Sequence, residues 1–584
     1  MLDARIYRTG LVVVALAVVV LAFSFMDQQS GLSSSLAPDA FNGQNVYTNM
    51  KQMEAAYPDR RPGSSGDDAL ATQVAKSFNQ YGFSVSTDAF TGRTADGSQT
   101  LENVVATRPG MKSGSVVIVA GRDARGSPAT TSLSGTATLI ELARDLEGET
   151  LNRTVVLAST SGTQGAAGAI RMASTLSGPI DAVLVLGDLD GSRTHEPIVV
   201  PWSSGTQVAP PALRNTVAAA LGAQAALGAG STGIGGQFAH LAFPFTISPQ
   251  GPYGARGHPA VLISLAGERG PAPNEPTGGP ALVTSMGRAV LQTITALDGG
   301  RTIPAPSSYL LLDGKLVPGW AISLFVLALI VPVLLTTIDG VARALRRRRP
   351  VWSWLAMVLA AAAPFLLAAA VVKGASVVGW ISDATPGPVP AGAVPLHSGG
   401  TLTLVLAAIV GVGALFVVRP FAAALAAREH AGEGAVPGLL TVSVAVTIAI
   451  WLYNPYAALL LVPALHLWLP ALNPGSRLPL VARVALLALG VVPVVLLVGY
   501  YALTLGYGPL DAVWSAALLI AGGAVTPLAV LEWSVVLGCM LSAVGILALT
   551  ARQPRSEAAR VTVRGPVSYA GPGSLGGTKS ALRR

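Results

Sequence analysis

The chain has 584 residues, of which 51% are hydrophobic and only 12% charged; soluble domains carry roughly 25% charge, so a wholly soluble protein is excluded. The net charge of +8 does not lie on the polar stretch: residues 27–315 hold 19 Lys+Arg against 22 Asp+Glu, and the remainder holds 19 against 8. That near-neutral stretch offers no clustered positive face, so no nucleic-acid partner is expected, and the single Cys539 excludes an intrachain disulfide.

Residues 1–10 carry Arg5 and Arg8 and precede the apolar run 11–26, LVVVALAVVVLAFSFM. The run is slightly short of the roughly 20 residues a spanning helix needs. It reads as an uncleaved signal anchor with residues 1–10 cytoplasmic. A cleaved signal peptide is the rival reading, but SSSLAP at 33–38 is a poor cleavage site. Residues 27–315 then form one extracytoplasmic domain. Within it VVIVA (116–120), TVVLAS (154–159), AVLVLG (182–187) and AVLISL (260–265) are short, β-branched apolar runs, with helical stretches such as 134–147 and 164–176 between them. Such alternation predicts an α/β three-layer sandwich around a mostly parallel central sheet.

Residues 317–550 read as an all-α bundle of about seven further spans: 317–338, 351–373, 401–419, 436–454, 456–472, 482–503 and 528–550. Basic residues mark the cytoplasmic loops. Arg343 and Arg346 to Arg349 follow one span, Arg419 and Arg428 lie in a later loop, Arg477 and Arg483 in another. They fall on one side if eight spans cross in all, which leaves 512–527 as a re-entrant or interfacial segment. The expected location is the plasma membrane, with both termini cytoplasmic and the Gly/Pro/Ser-rich tail 551–584 disordered. The Arg excess (6 of 38 basic residues are Lys) and the lack of disulfides suit a bacterium.

Seven local patterns carry a resemblance: RRPGSSGDDALATQVAKSFNQYGF (60–83), ENVVATRPG (102–110), VVIVAGRDARG (116–126), SLSGTATLIELAR (132–144), TVVLASTSGTQGAAGA (154–169), AVLVLGDLDG (182–191) and SPQGPYGARGHPAVLI (248–263). In this order they resemble the co-catalytic zinc aminopeptidases, which hold two zinc ions at the strand ends of such a sheet. The resemblance implies five metal ligands and a carboxylate base. Placed residue by residue, the first histidine falls on Gly121, the bridging aspartate near Thr131 or Ser132, and the tandem glutamates on Thr163 and Gln164. Asp188 keeps the fourth ligand, and Asp123 keeps a carboxylate that in the family orients the lost histidine. The last histidine should lie in GPAPNEPTGG (270–279), which has none, and the family's Asp-His has become Pro249 and Gln250.

The frame therefore predicts a degenerate metal site and no cofactor. The implied protein is a membrane-anchored pseudo-peptidase whose partners are the lipid bilayer and a peptide or partner membrane protein. Two alternatives stand beside it: a divergent, active membrane metallo-aminopeptidase with zinc on other residues, and a transport or membrane-complex subunit working through its spans. For the last, His466 and Glu532 are the polar candidates; the plainer expectation is that His466 bonds a neighbouring helix carbonyl and Glu532 reaches the outer interface. His195-Glu196 beside Asp188 is a candidate relocated site, Ser159, Ser161 and Thr163 a hydroxyl cluster without a nucleophile elbow, and GIGG (233–236) reads as loop glycine. The architecture also resembles the peptidase-like subunit of the eukaryotic GPI transamidase, and nicalin and nicastrin carry related degenerate domains.

Overall fold

The computed structural model describes residues 4–34, 38–125, 130–426, 431–473, 476 and 478–552. Residues 553–584 of the expected tail, Arg428 and Arg477 lie outside these residues.

The first helix, α1 (Ala4–Ala22), leads into the short strand β1 (Met26–Asp27). The α/β part follows: α2 (Gly43–Ala56), α3 (Ser65–Gln80), β2 (Ser84–Thr94), β3 (Gly97–Arg108), β4 (Ser115–Gly121), α4 (Ser134–Asp145), β5 (Thr154–Thr160), α5 (Ala167–Thr175), β6 (Ile180–Leu186), β7 (Val199–Val200), α6 (Pro211–Ala225), α7 (Ile234–Ala242), α8 (Gly251–Ala255), β8 (Ala260–Ile263) and α9 (Pro280–Gly299). Its seven-stranded sheet has the order β2-β3-β5-β4-β6-β8-β7. The four central strands, the apolar runs read above, are mutually parallel. The flanks are antiparallel. β2 and β3 form a hairpin, β3 runs antiparallel to β5, and β7 is antiparallel to β8. A two-residue connection, Ala95-Asp96, cannot make the crossover a parallel pair needs.

Successive strand residues point to opposite faces, and here the two faces feed two cores. Val116, Ile118 and Ala120 join the core under α2, α3, α4, α6 and α9. Val117 and Val119 join a core that includes α5, α7 and α8 and continues without a break into the apolar helices that follow.

Those helices begin after a hairpin, β9 (Tyr309–Leu312) and β10 (Lys315–Pro318), whose second strand pairs with β1. They are α10 (Gly319–Arg346), α11 (Val351–Ala360), α12 (Ala363–Val377), α13 (Ser398–Ala426), α14 (Ala431–Trp451), α15 (Pro455–Leu472), α16 (Leu480–Leu489), α17 (Val492–Leu505), α18 (Pro509–Gly522) and α19 (Pro527–Arg552). Seven helices of the described residues are long and apolar enough to cross a membrane, or eight if α16 and α17, bent by 47°, make one span. α18, at 14 residues, is too short.

Contacts tell which helix ends face the α/β part. The β1–β10 pairing brings the end of α1 and the start of α10 together, and the two helices run antiparallel so closely that a Cβ on Gly10 would lie 2.6 Å from Pro332 Cα. The side-chain amide of Asn454, before α15, donates to Leu241 O (3.0 Å) and Ala242 O (3.2 Å) at the end of α7. Arg269 donates to Leu503 O and Thr504 O at the end of α17. At the far end Arg483 donates to Thr550 Oγ1 (2.7 Å) and to Ala471 O, and Gly434 meets Pro350. Arg5, Arg8 and the Arg346–Arg349 run thus sit at the end of the bundle remote from the α/β part, as does Arg483. α18 stays on the near side, where Trp514 donates to Val394 O (3.0 Å) and Ala521 O accepts from Lys373 (3.0 Å).

Candidate functional site at the strand ends

Parallel strands put their carboxyl ends, and the loops that follow, on one edge of the sheet. Here that edge opens into a cleft of about 970 Å³. Six of the seven positions singled out in the domain, Gly121, Asp123, Ser132, Thr163, Gln164 and Asp188, line it together. Gln250 does not: it is buried, and its amide turns inward to donate to Trp202 O (3.1 Å) and Thr246 Oγ1 (3.3 Å). The neighbouring Ser248 and Pro249 face the cleft instead, as does His195.

The floor is set by a buried ion pair. Arg122, one residue beyond β4, meets Asp67 of α3 at 2.8 Å, both side chains fully excluded from solvent. Arg122 also donates to Ser159 O (3.1 Å) and Glu102 O (2.7 Å), and Asp67 accepts from Ser161 Oγ (2.5 Å). One arginine thus ties together β3, the ends of β4 and β5, and α3. Above it Asp123 accepts from the Thr163 backbone N–H (3.0 Å) and from Thr163 Oγ1 (2.6 Å). Loss of solvent, then the Asp67 charge, pushes the Asp123 carboxyl up to about 6 despite those bonds. The Asp123–Thr163 pair occupies the space beside Gly121, where any Cβ would run into Thr163 Oγ1. Ser132 accepts from Arg60 (2.8 Å), whose guanidinium is itself buried.

Asp188, two residues past β6, is different in kind. It is 2% exposed. One carboxylate oxygen accepts from the Asp190 N–H (3.0 Å); the other, Oδ2, is buried beside Gly191, whose backbone N–H also favours the ionised form, and makes no hydrogen bond of full geometry among the described residues. Burial, with Glu275 and Asp190 adding like charge, pushes Asp188 up to about 7. Across the cleft Glu268 accepts from Thr246 and Ser248 hydroxyls, and burial pushes it up to about 7 as well.

These residues do not fit a pair of zinc ions. Of the six side chains that line the cleft from the expected positions, two are carboxylates, Asp123 and Asp188, and none is an imidazole or a thiolate. Among the described residues no three His, Cys, Asp or Glu side chains group as a metal site. Asp123 is spent on Thr163, which leaves Asp188 with Glu275 nearby. The stretch 270–279 supplies Pro271, Ala272 and Pro273 to the wall and turns Glu275 back onto the N–H groups of Ala272 (3.0 Å) and Arg193 (3.1 Å).

The roof comes from the apolar half of the chain. Pro390 to Ala393 and Pro395, in the connection between α12 and α13, line the cleft with Leu505 of α17. Arg125 holds this connection by donating to Ala393 O while paired with Asp96 (2.8 Å). Tyr507 donates to Val389 O (2.5 Å), and Thr385 packs on Gly165 so tightly that a Cβ there would overlap it. Sequence reasoning missed both the roof and Glu268. The glutamate carried a signal, since it follows the AVLISL strand as Asp123 and Asp188 follow theirs. The roof carried none.

His466 and Glu532 lie elsewhere and apart. His466 bonds Leu329 O (2.9 Å) and Tyr7 Oη (2.6 Å), and Glu532 accepts from Tyr453.

No family model matches the chain, and neither does any curated protein. Among solved structures it is similar to a glutaminyl cyclase from an Acidobacteriales bacterium (20% identity over 46% of this chain and 99% of that one, TM-score 0.36). It is also similar to a leucine aminopeptidase precursor from Bacteroides thetaiotaomicron (13%, 45% and 99%, 0.35) and to a zinc aminopeptidase from Bacillus subtilis (11%, 45% and 99%, 0.35).

Proposed function

We propose that this chain is a membrane-anchored, peptidase-like protein that holds the amino terminus of a peptide or partner protein in its strand-end cleft without hydrolysing it. The observation that carries this reading is the Asp188 carboxyl group, which lines the cleft, is 2% exposed and is pushed well above the ordinary carboxylate range by burial and by the charges of Glu275 and Asp190. An uncompensated buried carboxylate costs free energy until a cation reaches it. The cation that a peptide brings is its terminal ammonium. The order of the seven sequence patterns supports a peptide as the occupant, and the side chains at the family's ligand positions supply no donor set for two zinc ions. The roof from the α12–α13 connection makes the occupant's fit depend on both halves of the chain. The Arg-bearing helix ends remote from the cleft support an extracytoplasmic cleft and cytoplasmic termini.

The test uses the full chain in detergent. Calorimetric titration with a peptide bearing a free amino terminus should show binding at least tenfold tighter than with its acetylated twin, and Asp188→Asn should abolish the difference. Equal affinity for the two peptides overturns the terminus reading. Two tightly bound zinc ions per chain with release of the first residue would establish the metallo-aminopeptidase alternative instead.

A further inference from the structure

A second cavity, of about 450 Å³, lies away from the cleft. Its walls come from the start of α6, the segment before α7, and the β9–β10 hairpin, with Gln28 just past β1. The cation in it is Arg214 of α6. Arg214 donates to Gly230 O, and its guanidinium has no acidic partner and no second acceptor among the described residues. Burial lowers its pKa, with Tyr309 acting the other way.

Two further features of the same cavity favour an anion. Gly233 caps α7 without a side-chain acceptor, so the first N–H groups of this nine-residue helix aim outward. The sequence GIGG, expected to be loop, instead opens this helix. Thr232 beside it has a buried hydroxyl with no partner. The one opposing charge is Asp313, at the exposed tip of the hairpin.

The cavity also lies near the α/β-side ends of two helices long and apolar enough to cross a membrane. Gln28 is six residues beyond α1, and Gly314 five before α10, so strand geometry keeps both within about 20 Å of a helix that qualifies as a span. Gly236 in the first turn of α7 approaches Tyr500 of α17, whose hydroxyl would lie 2.8 Å from a Cβ added there. At the rim, Ile234 and Leu312 are 50% and 39% exposed, which suits acyl chains better than water.

We propose that this cavity binds the phosphate of a membrane lipid headgroup, with Arg214, Thr232 and the α7 N-terminus on the phosphate and Ile234 and Leu312 on the chains. It is independent of the peptide-binding reading. Native mass spectrometry of the full chain in detergent, titrated with phosphatidylglycerol, tests it. Wild type should retain one lipid, and Arg214→Gln should weaken binding at least tenfold, as expected for losing a charged hydrogen-bond donor. Arg214→Lys, which keeps the charge and loses the planar fork, should fall between. Should Arg214→Gln fail to fold, Arg214→Lys and Thr232→Val carry the test, each weakening binding at least threefold. Unchanged lipid binding in the variants overturns the proposal. Displacement of the lipid by inorganic phosphate at equal concentration overturns the lipid assignment in favour of a free anion.

Discussion

Replacing Asp188 by Asn removes the charge and keeps the shape. The carboxyl's ordinary value of 3.8 is pushed up to about 7 in the folded chain. One unit is 1.36 kcal/mol, so ionising Asp188 in place costs on the order of 4 kcal/mol. The folded pKa is raised, so the wild type holds its full stability only below pH 4. That contribution is lost as pH rises through about 7 and stays lost above it. The amide does not titrate, and its oxygen can still accept the Asp190 N–H. Asp188→Asn should therefore match or fall slightly below wild type at pH 4 and exceed it by up to about 4 kcal/mol at pH 9. Urea unfolding of the full chain in detergent, followed by tryptophan fluorescence at pH 4, 5.5, 7 and 9, measures the gap. A gap that stays constant with pH, or shrinks as pH rises, refutes the account of Asp188 as a buried, uncompensated carboxylate. A peptide with a free amino terminus should narrow the gap at pH 7, where its terminal ammonium, with an ordinary pKa of about 7.7–8.0, is still charged.

Arg122→Ala leaves Asp67 buried and unpaired and should cost about 3–5 kcal/mol in the same unfolding assay; a loss under 1 kcal/mol would mean the pair does not organise the floor. Gly165→Val adds a Cβ against Thr385 at a φ of +81° and should destabilise by at least about 1 kcal/mol. Its amide exchange should rise at residues 385–395, as the roof lifts. Asn454→Ala removes the α15 cap and both bonds to the end of α7 and should cost about 2 kcal/mol, seen as faster exchange at the α7–α15 contact.

Much of the α/β part was legible along the chain. The runs at 116–120, 154–159, 182–187 and 260–265 are rich in β-branched residues and mostly apolar, and a segment with that composition is best satisfied between two covered faces. They became the four parallel strands. The antiparallel flank was harder to read, because SVSTDAFTGRT (84–94) is polar and part-exposed and gives no apolar alternation. Gln250 went astray for a local reason. It precedes a five-residue helix, and whether its amide faces the cleft or Trp202 O depends on how that helix packs, which spacing along the chain does not show.

By itself the sequence determined which segments are apolar enough to leave water, where the central strands lie, and which residue types stand at their ends. Those are properties of composition and short-range order. The tertiary structure alone decided that Asp188 is buried beside like charges while the Asp123 carboxylate is bonded to Thr163, since burial and hydrogen bonding depend on neighbours from other strands. It alone decided that residues 390–395 roof a cleft built some 200 residues earlier. Such closure rests on long-range bonds from Arg125, Tyr507 and Trp514 to the α12–α13 connection, and no local pattern encodes which distant loop will fill that space.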